Sequence, residues 1–331
     1  MAERTAYHWR KLEDERVECT LCPHRCKVKP GATGICRVRA NREGQLLTLN
    51  YGEVASVALD PVEKKPLFHF YPGTSIYSVG VRGCNFDCGF CQNWSLAHGQ
   101  PPSTFVPPQR LVALAEEARA EGNIGIAYTY SEPTVWYEYV LDTARLAHRA
   151  GLKNVMVTNG FIESEPLQEL LPYLDAMNID LKSFREEYYR RTCHGRLSPV
   201  MATIAAAQAA THVEVTTLLV TGLNDSEQEV EELAAWLASV NPDIVLHLSR
   251  YFPAYRFTLP PTPVDTIRRA REVARRHLRY VYVGNVVGMD DDTRCAGCGQ
   301  VLVQRDGYFV RLPGVKAGTC SNCGTPVPFV M

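Results

Sequence analysis

Cys84, Cys88 and Cys91 lie in the stretch Gly83-Cys84-Asn85-Phe86-Asp87-Cys88-Gly89-Phe90-Cys91-Gln92-Asn93. Their C-x3-C-x2-C spacing offers three thiolates to a four-iron cluster and leaves one iron without a protein ligand. A cluster ligated by four thiolates mainly carries electrons, whereas an open iron can hold a ligand and transform it.

The chain has 12 cysteines, and eight of the others form two more tight groups. Cys295-Ala296-Gly297-Cys298-Gly299 and Cys320-Ser321-Asn322-Cys323-Gly324 are paired C-x2-C-Gly knuckles, the pattern of a tetrahedral four-cysteine site, with zinc the expected metal. Asp306-Gly307 should turn a small hairpin between the knuckles. A segment this short builds little core, so the metal would staple it, either as a stabilising cap or as a docking surface or cover for an active site. Cys19, Cys22, Cys26 and Cys36 have a C-x2-C-x3-C-x9-C spacing that suits either zinc or a second iron–sulfur cluster useful as an electron relay. His24 is an alternative ligand there. Cys193 stands apart and reads as a buried thiol. Six disulfides are disfavoured, because every group has metal-ligand spacing and the expected compartment is reducing.

These residues need a scaffold. With 331 residues, 46% hydrophobic and 21% charged, the chain can hold one large core with small appendages. A formal net charge of -1 and the lack of a clustered basic stretch argue against nucleic acid or an anionic membrane as partner. The amino terminus lacks a signal-peptide run and no stretch suits a membrane span, so a soluble cytoplasmic protein is expected. Between residues 76 and 284, apolar β-branched runs at 76–81, 124–129, 154–158, 176–180, 213–220 and 244–248 alternate with amphipathic helical stretches. A run at 280–284 would add an edge strand. The expected fold is α/β, a partial (β/α)6 TIM-like barrel over 76–290, with a cysteine-rich N-terminal module over 1–75 and a zinc-ribbon-like module over 291–331. Asp290-Asp291-Asp292 reads as a solvated hinge between the last two.

Reactive groups in parallel α/β folds gather where strands end. The cysteine loop follows the first predicted strand, Tyr128 to Thr134 the second, Thr158-Asn159-Gly160 the third, Asp180-Leu181-Lys182 the fourth and Ser249-Arg250-Tyr251 the sixth. Each taken alone suits a turn or a helix cap, as with Thr134. Asp180 and Lys182 are more telling, since a charge beside an apolar strand costs desolvation unless it has a partner.

The cysteine loop resembles that of the radical S-adenosylmethionine (SAM) enzymes. Glu63-Lys64-Lys65-Pro66-Leu67, Cys91-Gln92-Asn93-Trp94, Asn178-Ile179-Asp180-Leu181-Lys182 and Leu248-Ser249-Arg250-Tyr251-Phe252-Pro253 narrow the likeness to the AmmeMemoRadiSam group, related to the activating enzymes of glycyl-radical enzymes. The resemblance implies that Cys84, Cys88 and Cys91 bind a [4Fe-4S] cluster whose open iron is chelated by SAM. It further implies that Phe90 contacts adenine and that Glu132 meets the SAM amino group, with Tyr130-Ser131 in place of a glycine pair. Thr158, Asn159, Asp180, Lys182 and Arg250 would complete the cofactor site. Val157 stands where relatives have an aspartate near a proposed monovalent cation, so one anionic ligand of such a cation is missing, and the resemblance offers Lys182 as a direct partner of the SAM carboxylate.

The activity so implied is reductive cleavage of SAM to a 5′-deoxyadenosyl radical that abstracts hydrogen from an unidentified substrate, with an external electron donor. AMMECR-type and Memo-type proteins are the partners the resemblance suggests. Two other readings are installation of a glycyl radical on a partner protein and a non-catalytic zinc or iron–sulfur adaptor. Retention of Glu132 beside all three cluster cysteines argues against the adaptor.

Overall fold

The structure, a computed structural model, describes residues 4–331. Seven parallel strands form its centre: Ser75–Gly80, Asn123–Tyr128, Lys153–Thr158, Ala176–Asp180, His212–Leu219, Val245–Arg250 and Val281–Gly284. They lie side by side in chain order. Such an order has no point of reversal, so the sheet is wound as a barrel is and not as a doubly wound fold is. Helices Pro108–Glu117, Tyr137–Arg149, Ser164–Leu170, Leu197–Gln208, Glu227–Val240 and Val264–Ala274 fill the six crossovers. Their buried faces follow the expected spacing, as in Leu111, Val112 and Ala115 or Val230, Leu233, Ala234 and Leu237. Strand limits shift by one or two residues from the sequence expectation, because apolar runs mark burial and ladder hydrogen bonds mark strands. Among the described residues, no helix is long and apolar enough to cross a membrane.

An eighth strand, Ser56–Pro61, pairs antiparallel with Ser75–Gly80 and forms one edge of the sheet. The sequence expectation leaves it in the N-terminal module, because an edge strand that is mostly half-buried lacks the apolar run of a central one. The N-terminal module before it is built from short strands in two three-stranded sheets. Arg39, 1% exposed, anchors this module by an ion pair with Glu138 of helix Tyr137–Arg149. Its guanidinium also donates to the Tyr7 carbonyl at 2.9 Å. A buried charge is tolerated only with such partners.

Asp290-Asp291-Asp292 is a pinned joint and not a solvated hinge. Asp291 accepts from the Val283 N–H at 3.0 Å and Asp292 from the Arg305 N–H at 2.8 Å. The C-terminal module follows, with the expected hairpin of Val301–Asp306 and Phe309–Arg311. It docks on the segment before the first parallel strand. The Arg305 guanidinium donates to the Phe68 carbonyl at 2.8 Å and lies 4.3 Å from the Phe68 ring centre, and Val330 pairs with Phe70.

That same segment is held by Glu214, fully buried near the start of its strand. Its carboxylate accepts from the N–H groups of Phe68 and His69 at 2.9 and 2.7 Å and from His247 and His212 at 2.6 and 3.0 Å. Burial alone would raise this carboxyl, but the two histidines outweigh it and hold it well below the usual range. Its contribution to stability is therefore whole above the unfolded value of about 4.3 and is lost as pH falls through that value towards the folded one. Glu214→Gln is expected to cost about 1.5–3 kcal/mol at neutral pH, the worth of hydrogen bonds to a charged group. Urea midpoints measured from about pH 6 to about pH 3 should decline less steeply for the variant than for the wild type.

Candidate functional site

A cavity of about 580 Å³ opens where the parallel strands end, and Cys84, Cys88 and Cys91 line it. Phe90, Glu132, Thr158, Asn159, Asp180 and Lys182 line it too. Strand ends at separate points of the chain thus deliver their polar groups to one space, as parallel winding dictates. Arg250 is the exception. Its Nε donates to the Thr262 carbonyl at 2.7 Å and its guanidinium lies 4.8 Å from the Phe252 ring centre, so its side chain is occupied in the loop after the sixth strand and does not line the cavity.

The cysteine loop is braced from both sides. The Asp87 N–H donates to the Cys193 carbonyl, the Arg256 N–H donates to the Gly89 carbonyl at 2.9 Å, and Arg256 pairs with Asp87 at 2.8 Å. Phe90 packs between Tyr188 and Phe257. Cys193 is buried as expected, and its thiol, near Cys88 though about a hundred residues away in the chain, lowers the Cys88 thiol. Burial pushes Cys84 well up and Cys91 up to about 11. Loading a metal group here must therefore release protons from thiols.

Glu132, 1% exposed, joins two of the rim loops. One oxygen accepts from the Thr134 N–H at 2.9 Å and the Thr158 hydroxyl at 2.7 Å, and the other from the Asn159 N–H at 2.8 Å. Burial pushes its carboxyl up and these donors pull against it, with a net rise. Glu132, and not Thr134, caps the short helix that follows. Three donors leave about one of the carboxylate's four acceptor positions for a ligand. Asp180 and Lys182 answer the desolvation problem by pairing at 2.8 Å. Burial alone would lower the Lys182 ammonium, but Asp180 and the Cys88 sulfur outweigh it and keep it charged.

Tyr130 takes a φ of +69°, the left-handed conformation a glycine adopts at little cost. Its ring is held in exchange. The hydroxyl donates to Asp60, and Lys65 sits 4.6 Å from the ring centre while pairing with Asp60 at 2.6 Å. Sequence reasoning missed this Asp60–Lys65–Tyr130 group, for Asp60 lies on the unrecognised edge strand. The one available signal was the Lys64-Lys65 pair, both of which line the cavity. Thr216, also lining it, was hidden inside a predicted strand.

The outer cysteines divide into two arrangements. Cys295, Cys298, Cys320 and Cys323 have sulfurs all within 4.8 Å of one another, with Cys295 to Cys323 at 3.6 Å and Cys298 to Cys320 at 3.7 Å. A tetrahedral ion with metal–sulfur bonds of about 2.3 Å requires edges of about 3.8 Å. None of residues 291–331 lines the cavity, so this module does not cover the site. Among the described residues, neither Cys84, Cys88 and Cys91 nor any three of Cys19, Cys22, Cys26 and Cys36 close to 4.8 Å. Thiolates bound to different irons are spread by the cluster between them, so the three-cysteine loop fits a polynuclear group better than a single ion. His24 donates through Nε2 to the Asn85 carbonyl at 2.7 Å, which occupies that nitrogen.

Comparison with known proteins bears on the same residues. The radical SAM superfamily model matches residues 78–237. An uncharacterized protein of Methanocaldococcus jannaschii is 40% identical over 99% of this chain and 100% of its own length. A radical SAM methyltransferase from Sphaerobacter thermophilus, 20% identical, superposes with a TM-score of 0.53 over 70% of this chain and 71% of that one. Streptococcus suis SuiB bound to S-adenosylmethionine, 14% identical, gives 0.52 over 69% of this chain and 53% of that one. At these identities the two structures speak to fold.

One close contact of the rim is testable. A β-carbon built on Gly80 would meet the Tyr130 ring at 2.9 Å and the Thr129 carbonyl at 3.1 Å. Gly80→Ala is expected to destabilise the protein by about 1–3 kcal/mol, the usual cost of overpacking. Thermal unfolding of the variant beside the wild type measures it.

Proposed function

This chain belongs to one family with the Methanocaldococcus jannaschii protein and carries a radical SAM domain over residues 78–237, and on that premise we propose that it cleaves SAM reductively and abstracts hydrogen from a substrate held in the rim cavity. The observation that carries the reading is the convergence of Cys84, Cys88 and Cys91 with Glu132, Asp180 and Lys182 on one cavity. A [4Fe-4S] cluster held by the three cysteines, with SAM on its open iron, would supply a 5′-deoxyadenosyl radical.

The chain's own residues supply positioning and exclusion of water. The Phe86 N–H lies 3.3 Å from Cys84 Sγ and the Asn159 amide 3.8 Å, so each thiolate charge at that position meets a donor. Lys182, beside Cys88 and next to the Phe90 ring at 5.8 Å, offers a fixed cation to a carboxylate in the cavity. The remaining acceptor capacity of Glu132 suits an ammonium. Phe90 provides an apolar platform for a flat ring. Together these groups would clamp an amino acid head and an adenine beside the cysteine loop, which is the near-contact geometry a short-lived radical requires.

For the C-terminal quartet we infer zinc as the resident metal, on the strength of the sulfur separations and their agreement with a tetrahedral four-thiolate edge.

The test is anaerobic. Iron- and sulfide-reconstituted protein with SAM and a strong reductant should form 5′-deoxyadenosine, and Cys88→Ala should form none. Glu132→Gln should bind SAM about 10- to 100-fold more weakly, as expected for loss of a charged hydrogen-bond partner. Failure of the wild type to form product, with its cluster intact and a candidate substrate present, would count against SAM cleavage.

A further inference from the structure

The N-terminal quartet surrounds a small void lined by Cys19, Cys22, Cys26, Cys36, Leu21 and Val135. The chain contains its own standard for a single-ion site. In the C-terminal quartet the four sulfurs draw together to tetrahedral edges. The N-terminal sulfurs do not, and in this they behave as Cys84, Cys88 and Cys91 do. A single zinc would pull four thiolates to about 3.8 Å, whereas a polynuclear group keeps them apart.

The donors around the quartet suit a buried anionic group. The backbone N–H groups of His24, Ile35 and Val38 lie near the sulfurs of Cys22, Cys26 and Cys36 and favour their thiolate forms. Arg39 Nη1 lies 3.6 Å from Cys19 Sγ, so a fully buried cation faces the remaining sulfur. Such donors set the potential of an iron–sulfur cluster.

The connection to the cavity gives this site a purpose that zinc, having no redox chemistry, would not serve. From Cys22 the chain runs through Pro23 to His24, whose ring donates to the Asn85 carbonyl at 2.7 Å. Asn85 adjoins Cys84, and its side chain accepts from Asn159 at 2.8 Å, the same amide that approaches Cys84 Sγ. One hydrogen bond therefore joins the two cysteine groups. Cys22 and Cys26 are half-buried and Ile35 is exposed, so an external donor can approach.

We propose that Cys19, Cys22, Cys26 and Cys36 bind a second iron–sulfur cluster, which relays electrons through the His24–Asn85 contact to the group held by Cys84, Cys88 and Cys91. A low-potential one-electron donor reduces the second cluster, and the cluster is reoxidised as the electron moves on. No bond or proton changes hands. The relay role rests on the function proposed above, while the presence of the cluster does not.

The experiment is metal and sulfide analysis with electron paramagnetic resonance on the full-length protein after anaerobic purification and reconstitution. The Cys84→Ala/Cys88→Ala/Cys91→Ala variant should keep about half the wild-type iron and sulfide, about four irons for a cubane, with one zinc, and should show a reduced-cluster signal. An iron-free variant with two zincs would overturn the proposal. Should that variant fail to fold, Cys22→Ser/Cys36→Ser reads the same question. Iron halved with zinc unchanged supports the second cluster, and zinc halved with iron unchanged refutes it. In the fully reduced wild type the signal should differ from the sum of the two variants' signals through magnetic coupling. A simple sum would refute the relay while leaving the cluster in place.

Discussion

A carboxylate buried among strand ends must be surrounded by donors, and much of the rim follows from how Glu132 meets that requirement. Its donors come from its own loop and from the loop after the third strand, so the two loops cannot move independently without leaving a charge unpaired. Tyr130 is carried into a left-handed conformation beside it. Gly80 leaves room for the Tyr130 ring, and Asp60 with Lys65 holds the ring in place. A strained residue persists where its surroundings over-determine it. Here the surroundings are an edge strand, a buried ion pair and a missing β-carbon.

Glu214 plays the matching part near the strand starts. It gathers two backbone N–H groups and two histidines, and thereby seats the segment on which the C-terminal module docks through Arg305 and Val330. Each end of the sheet thus has a buried carboxylate whose partners come from distant parts of the chain. One organises a cavity and the other an anchorage. The N-terminal module is tied in by a third buried charge, the Arg39–Glu138 pair, and by the contact of His24 with the cysteine loop.

The cysteine spacings and the βα alternation were legible in the sequence because both are local. Ligands to one metal group must be close in chain or repeat a knuckle, and a helix or strand declares itself within a dozen residues. Cys84, Cys88 and Cys91 were found by their spacing, Phe90 by the family resemblance, and Glu132, Thr158, Asn159, Asp180 and Lys182 by that resemblance together with the rule that polar groups following apolar strands gather at one rim; each lines the cavity. The same rule failed for Arg250, whose strand end is right but whose side chain turns to the Thr262 carbonyl. It also passed over Asp60 and Lys65, which reach the rim from outside the repeating units, and Glu214, which stands near the start of a strand.

By itself the sequence determined the class of chemistry, the winding of the core and the existence of three cysteine groups with metal-ligand spacing, since thiolate spacing and hydrophobic periodicity act over short stretches of chain. Tertiary structure decided which rim residues share a space, how Tyr130 is held in a left-handed conformation, that Asp291 and Asp292 pin the last module, and how far apart each set of sulfurs is held. Those outcomes depend on side chains distant in sequence competing for the same donors and the same volume, and only the folded packing settles that competition.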